Sequence, residues 1–356
     1  MALTYTDYFI LTLFSTEQPK KGSTVFHILQ GKKTASILYR AADYSLDCFF
    51  GFFPTIVRHA FFQRLDQLVS VGYVTFNSDI DEYRQTVEGK EAAERYFSHH
   101  YYPTKVRWMT HGRAVQEFQK KVYFLTQIFS EIRHNNSRYI PLEKNGAIQQ
   151  WAKQWLKQQR SDVQESAVKF GQEWKLLLSQ LESENAIVIA QSMSGHQIVG
   201  LTKKQLAERM SVEALEISMR EADTFSRLVE LTAKQQTEVP LFYSILKEIM
   251  EQNDNSLSKS AKETIQLIQK GYSLEQVTNL RNLKKSTVSE HLIEWVILFP
   301  KVDIKPFIPK EIYQIAEDLM NENPAYTFKD MQEKIPAMEF LWFRLIQIER
   351  RRKNGQ

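Results

Sequence analysis

Apolar positions recur at helical spacing along most of the chain. Val115, Phe118, Val122, Leu125 and Phe129 form a single stripe, and Trp151, Trp155, Phe170, Trp174, Leu177 and Leu181 continue the period between Ile148 and Leu181. Spaced tryptophans can stack on unpaired bases, but their shared period with aliphatic residues favours a core stripe. Ile56, Ala60, Leu65 and Leu68 predict a helix from Thr55 to Val71, stopped by Gly72. Thr202 and Gln205 form a capping box opening a helical region to about Lys234, in which Glu216, Arg220, Glu221 and Lys234 read as a solvated face. Pro240 restarts helix to about Gln252. One stretch breaks the pattern: Tyr73–Phe76 alternates, Asn77–Asp79 turns, and Tyr83–Val87 can pair back as a hairpin. Ile187–Ala190 is β-prone and reads either as a short strand or as a buried helix turn. The fold class is mainly α, in a multi-domain helical protein.

Residues 4–14 predict one helix, Val25–Gln30 a second ended by Gly31, and Thr34 caps a third through about Ala42. This is a helix-turn-helix outline with Lys32, Lys33, Thr34, Ser36 and Arg40 outward. With the hairpin as a wing bearing Arg84, it suggests a winged-helix-like domain over residues 1–104. A helical middle region follows over 105–252. Asn253–Ser256 is the most linker-like tetrapeptide, placing a C-terminal domain at 257–353.

The most informative stretch is Leu257–Trp295. A helix from about Ser260 to Lys270 stops at Gly271. Ser273 and Gln276 form a capping box, with Leu274, Val277 and Leu280 as the apolar face of the next helix. Asn282 stands where the turn needs a positive φ, and Leu283 plugs the corner. The third helix, 285–295, turns Val288, Leu292 and Trp295 inward and Lys285, Ser286, Ser289 and Glu290 outward. Such a helix fits the major groove of DNA. On periodicity alone, Lys284 and Lys285 are equally a solvated turn.

The run from Ser273 to Leu292 resembles the helicase helix-turn-helix domain, found at the C-terminus of bacterial RecQ-type helicases and in stand-alone YpbB-like proteins. Val277, Leu283, Ser286, Thr287, Val288, His291 and Leu292 match its pattern; Thr278 stands for Ala, Asn282 for Gly and Lys284 for the capping Ser. Phe307–Ile348 is similar to the family's closing helices. The full-length layout resembles the YpbB-like family. The resemblance implies a non-catalytic accessory that binds DNA beside a RecQ-type helicase, in repair or replication-fork processing. Arg281, Lys284, Lys285, Ser286, Ser289, Glu290 and His291 would meet duplex, forked or single-stranded DNA. Lys284 offers helix three no side-chain cap, a loss of ~1 kcal/mol in its first turn.

Composition changes little. The 356 residues are 43% hydrophobic and 25% charged, with 12 Gly and 10 Pro, which suits two or three folded domains without long linkers. The net charge of +4 permits nucleic-acid binding only where cations cluster. Two basic clusters besides the third helix are Lys32, Lys33 and Arg40, and the run Arg350, Arg351, Arg352 and Lys353. The second suits phosphates or an ordinary solvated end. Cys48 is the only cysteine and reads as a small buried residue, which suits a reducing compartment. No apolar run approaches a membrane span, so a cytoplasmic, nucleoid-associated protein is expected.

No nucleotide-binding or catalytic signature occurs: there is no GxxxxGK[ST], GxGxxG, GxSxG, paired CxxC or HExxH. His99, His100 and His111 lack ligand spacing and read as surface or packing residues. No enzyme, cofactor, metal or small-molecule substrate is expected, and a motor would be a separate polypeptide. Two rival functions use the same residues. One is a protein-interaction scaffold without DNA contact, and the other is a transcription regulator binding a palindrome as a dimer.

Overall fold

The computed structural model describes residues 2–159, 162–252 and 257–353. The linker-like Asn253–Ser256 and the Arg160–Ser161 part of the expected kink lie outside these. The helices are α1 (Tyr5–Thr12), α2 (Gly22–Gln30), α3 (Ala35–Asp43), α4 (Arg58–Ser70), α5 (Val87–Phe97), α6 (Trp108–Arg133), α7 (Gly146–Gln158), α8 (Val163–Leu178) and α9 (Ser183–Ser192). They continue as α10 (Lys203–Met210), α11 (Ala214–Lys234), α12 (Pro240–Gln252), α13 (Lys259–Gln269), α14 (Leu274–Arg281), α15 (Lys285–Leu298), α16 (Lys310–Glu322), α17 (Phe328–Lys334) and α18 (Phe340–Lys353). One antiparallel hairpin, β1 (Val74–Asn77) with β2 (Glu82–Gln85), pairs Val74 with Gln85 and Phe76 with Tyr83. The protein is mainly α, as the periodicity predicts.

The chain forms two compact units that cut across the three expected stretches. One comprises residues 1–30 and 48–253, the other residues 31–47 and 254–356. The helices of the outline expected from 25 to 42 are divided between the units: α2 belongs to the first and α3 to the second. The α3 residues Leu38 and Ala41 are fully buried, and α3 packs on α15.

In the first unit, the expected stripe of α6 is core. Val115, Phe118, Val122, Leu125 and Phe129 are all buried, against Phe170 and Trp174 of α8, Phe225 of α11 and Phe242 of α12. The tryptophans belong to this packing. Trp155 and Trp174 are buried, and half-buried Trp151 donates its indole N–H to Glu248 at 2.8 Å. Ile187–Ala190 lies within α9 and forms no strand.

Of the solvated face expected on α11, Lys234 is exposed, but the rest belongs to a buried polar seam. Glu216, Arg220, Glu221 and Asp223 are 1–6% exposed. Glu216 accepts from the Tyr101 backbone N–H at 3.1 Å and meets His100 Nδ1 at 2.9 Å. Asp223 accepts from the Tyr101 hydroxyl at 2.7 Å and the Thr104 N–H at 3.0 Å. The Arg220 guanidinium lies 4.4 Å from the Tyr101 ring centroid and 3.0 Å from Asn185 Oδ1. Burial raises the Tyr101 hydroxyl pKa, and Asp223 beside it pushes the same way. Charges that look like a wet face are met mainly by partners from residues 100–105 and 185, which makes their burial tolerable. Because α11 holds 100–105 in this way, no domain boundary falls at 104. No helix among the described residues is long and apolar enough to cross a membrane.

Candidate nucleic-acid interface

The second unit is built around α15. Each boundary of its helix-turn-helix has a local cause. Ser258 caps α13 by accepting from the Ala261 N–H at 3.2 Å. Gly271, at φ 92°, ends that helix. Ser273 accepts from the Gln276 N–H, and Gln276 Oε1 accepts from the Ser273 N–H, closing the expected capping box. Asn282 takes φ 48° and ψ 47°, the left-handed conformation the tight turn demands. Lys284 is the N-cap of α15 and supplies no side-chain hydrogen bond.

Packing follows the expected pattern with four exceptions, the first being Leu274, which is only half-buried. Ala261, Thr264 and Ile265 of α13, Val277 of α14, and Val288 and Leu292 of α15 are buried at 0–3% exposure. Leu280, expected on the apolar face, is 62% exposed. It is three residues from Val277, and α14 has only eight residues, with Val277 alone buried. Leu283 and Trp295 are half-buried, with the Trp295 ring edge-on to Phe307 at 6.3 Å. The α15 helix is buried over most of its length, Ile293 and Val296 included, because α13, α14, α18 and α3 all pack on it.

That enclosure sorts the expected contact residues. Lys284, Lys285, Ser286 and Glu290 are exposed and Ser289 is half-buried. The Lys285 ammonium meets Glu339 Oε1 at 2.8 Å, while Lys284 makes no ion pair among the described residues. His291 is not on this face: it is buried, with Nδ1 2.8 Å from Thr264 Oγ1. Burial pushes its pKa down, and Arg281 adds to the shift. Arg281 is also turned inward, its side chain 14% exposed. It donates to the Ser260 carbonyl and Thr264 Oγ1 and pairs with Glu263 at 2.6 Å, locking α14 to α13. The reachable part of the third helix thus narrows from 285–295 to 284–290.

The two other basic clusters are engaged within the unit. Arg40 pairs with Asp43 at 2.7 Å, and Lys32 and Lys33 are exposed in the turn before α3. Arg350 donates to Asn321 Oδ1 at 2.5 Å, and Arg351 lies 3.6 Å from Asp43. Lys353 meets Glu317 at 2.6 Å, and that pairing holds the Glu317 carboxyl below its ordinary range. Arg352 donates to the carbonyls of Val296, Phe299 and Val302. Two of these belong to the last turn of α15, so this arginine caps that helix. A run that reads either as a phosphate-binding or as a solvated end is instead the clasp of the domain.

One structural residue escapes sequence reasoning. Glu294, 5% exposed, accepts from the Ser258 N–H at 2.8 Å and from its hydroxyl at 3.2 Å, tying the start of α13 to α15. Its signal is a lone carboxylate within the apolar run 292–298. Among the described residues no cluster of His, Cys, Asp or Glu could hold a metal ion.

The reachable turn lies along a groove of about 590 Å³. Lys285, Ser286, Ser289, Glu290 and Ile293 of α15 line it. The rest of the lining comes from α3, α17, the turn before α18, and α18 itself, including Phe340 and Arg344. Arg344 sits 3.6 Å from the Tyr39 ring centroid and 5.0 Å from that of Phe340, itself 48% exposed.

Residues 260–347 match the family model described as a helix-turn-helix domain, which covers α13 to α18 almost completely. This C-terminal quarter of the chain is therefore of the helix-turn-helix class. The chain is similar to Protein YpbB of Bacillus subtilis (strain 168), 23% identical over 319 residues that cover 89% of each chain. The similarity to that relative spans most of the chain, and the helix-turn-helix match lies within its last hundred residues. No solved structure matches the chain.

Proposed function

We propose that this protein is a non-catalytic DNA-binding accessory of a RecQ-type helicase, acting in repair or replication-fork processing. The observation carrying the DNA part is the helix-turn-helix match over 260–347 together with the exposed Lys284–Lys285–Ser286 turn at its third helix. Lys284 and Lys285 neutralise phosphates, and Ser286 stands beside them as a hydroxyl donor. Arg281 and His291 hold the helices in place and do not touch DNA. The helicase part rests on the resemblance of this domain to the one RecQ-type helicases carry. The sequence holds no P-loop, so strand separation belongs to the partner.

The test uses the full chain and a purified RecQ-type helicase from the same cell. Co-purification that survives nuclease treatment, and faster unwinding of forked DNA when the protein is present, are expected. Absence of both effects would remove the helicase partnership while leaving DNA binding in place. A partner retained after nuclease treatment, with no DNA bound at low salt, would turn the reading to a protein scaffold.

A further inference from the structure

The exposed turn of α15 is sunk in a groove rather than raised on a ridge. A helix reads base edges by entering a major groove about 12 Å wide. Here residues of α3, α17 and α18 line the same groove as Ser286 and Ser289, so other elements flank these side chains. A single strand has no such width. The groove's chemistry also separates a base from a phosphate. Glu290 and Glu339 line it and balance the lining cations Lys285 and Arg344, so the groove holds no net positive charge for an anion, whereas Lys284 lies outside its lining. The half-exposed Phe340 ring offers an aromatic surface, and Arg344, over both it and Tyr39, adds a planar cation. The hydroxyls of Ser286 and Ser289 and the Gln332 amide supply hydrogen bonds to a base edge, and a carboxylate accepts from the amino group of cytosine. A volume of 590 Å³ lies within the ordinary range for small-molecule sites.

We propose that this groove takes an unpaired base of single-stranded DNA, stacked on Phe340, with the neighbouring phosphates on Lys284 and Lys285. The assignment rests on the DNA-binding reading above and names the form of DNA that its site prefers. Base–aromatic stacking tolerates any sequence, and the carboxylates favour bases with an exocyclic amino group over thymine.

The test compares the full-length protein with Phe340→Ala and Phe340→Tyr. The probes are an oligo-dC strand carrying one 2-aminopurine, an oligo-dT strand and a blunt duplex. The expected results are quenching of 2-aminopurine on binding and tighter binding of oligo-dC than of oligo-dT. Phe340→Ala should lose roughly ten-fold or more in single-strand affinity, together with the quenching, at unchanged duplex affinity. Phe340→Tyr should restore both, which separates stacking from mere loss of fold. Unchanged single-strand affinity and quenching in Phe340→Ala overturns the proposal. If Lys284→Glu with Lys285→Glu still weakens duplex binding in that case, the groove assignment fails and the DNA reading stands. No binding of either strand form overturns both.

Discussion

Thr264 Oγ1 lies 2.8 Å from His291 Nδ1, joining the first and third helices of the helix-turn-helix inside its core. Arg281 of the second helix donates to the same hydroxyl. One fully buried threonine therefore gathers polar groups from all three helices. Thr264→Val keeps the shape, strands the buried His291 Nδ1 and removes one of the contacts of Arg281, which keeps the Ser260 carbonyl and Glu263. It should destabilise the second unit by about 1–3 kcal/mol, the range for leaving a buried polar group unmade. Denaturant unfolding of the variant checks this, and an unchanged midpoint would mean that the contact is idle.

The same pair sets a pH dependence. Burial lowers the folded-state pKa of His291 below its ordinary value of 6.5, with Arg281 as the second cause. The unfolded chain thus binds its proton at higher pH than the folded one, and stability rises with pH through this window. The contribution is complete above about 6.5 and is lost as pH falls through the folded value. Thermal unfolding followed between pH 7.5 and 5 should show the second unit losing stability below about 6.5, with a shallower loss in His291→Gln.

Lys284 serves two purposes that pull apart on substitution. At the N-cap of α15 it makes no side-chain hydrogen bond. Lys284→Ser supplies the missing acceptor and should raise stability by ~1 kcal/mol. It also removes an exposed cation, so DNA affinity should fall and the salt slope should drop by about one. A melting curve and a salt titration of one variant would then move in opposite directions.

Arg352 carries the opposite expectation. Its guanidinium covers the Val296 and Phe299 carbonyls at the end of α15, and burial pushes its pKa down. Arg352→Ala should cost about 1–2 kcal/mol of stability in the second unit. Its salt slope for DNA should match that of the parent protein.

Much of the helix-turn-helix was legible in the sequence because its signals are local. Capping pairs such as Ser273–Gln276, the stop at Gly271 and the left-handed Asn282 need only a few neighbouring residues. The chemistry of exposed charge was not legible. Arg281, His291 and the run 350–353 read as outward cations, yet each answers to a partner far away in sequence: Thr264, Val296, Glu317 or Asp43. The burial of Glu216, Arg220 and Glu221 was not legible for the same reason, since helical spacing cannot reveal that Tyr101 and Asn185 come to meet this face. The assignment of α3 to the second unit is likewise a long-range event. Nothing in the alternation of residues 34–43 marks the helix it will pack on.

The most direct test of the account is DNA binding by fluorescence anisotropy across a salt series, with the parent protein and Lys284→Glu/Lys285→Glu compared on forked, single-stranded and blunt duplex DNA. The account predicts salt-sensitive binding by the parent, strongest where unpaired DNA is present. It predicts a loss of affinity and a salt slope shallower by about two in the double variant. Equal affinity and equal slope for the two proteins would contradict it, placing any DNA contact elsewhere than the turn that begins the third helix.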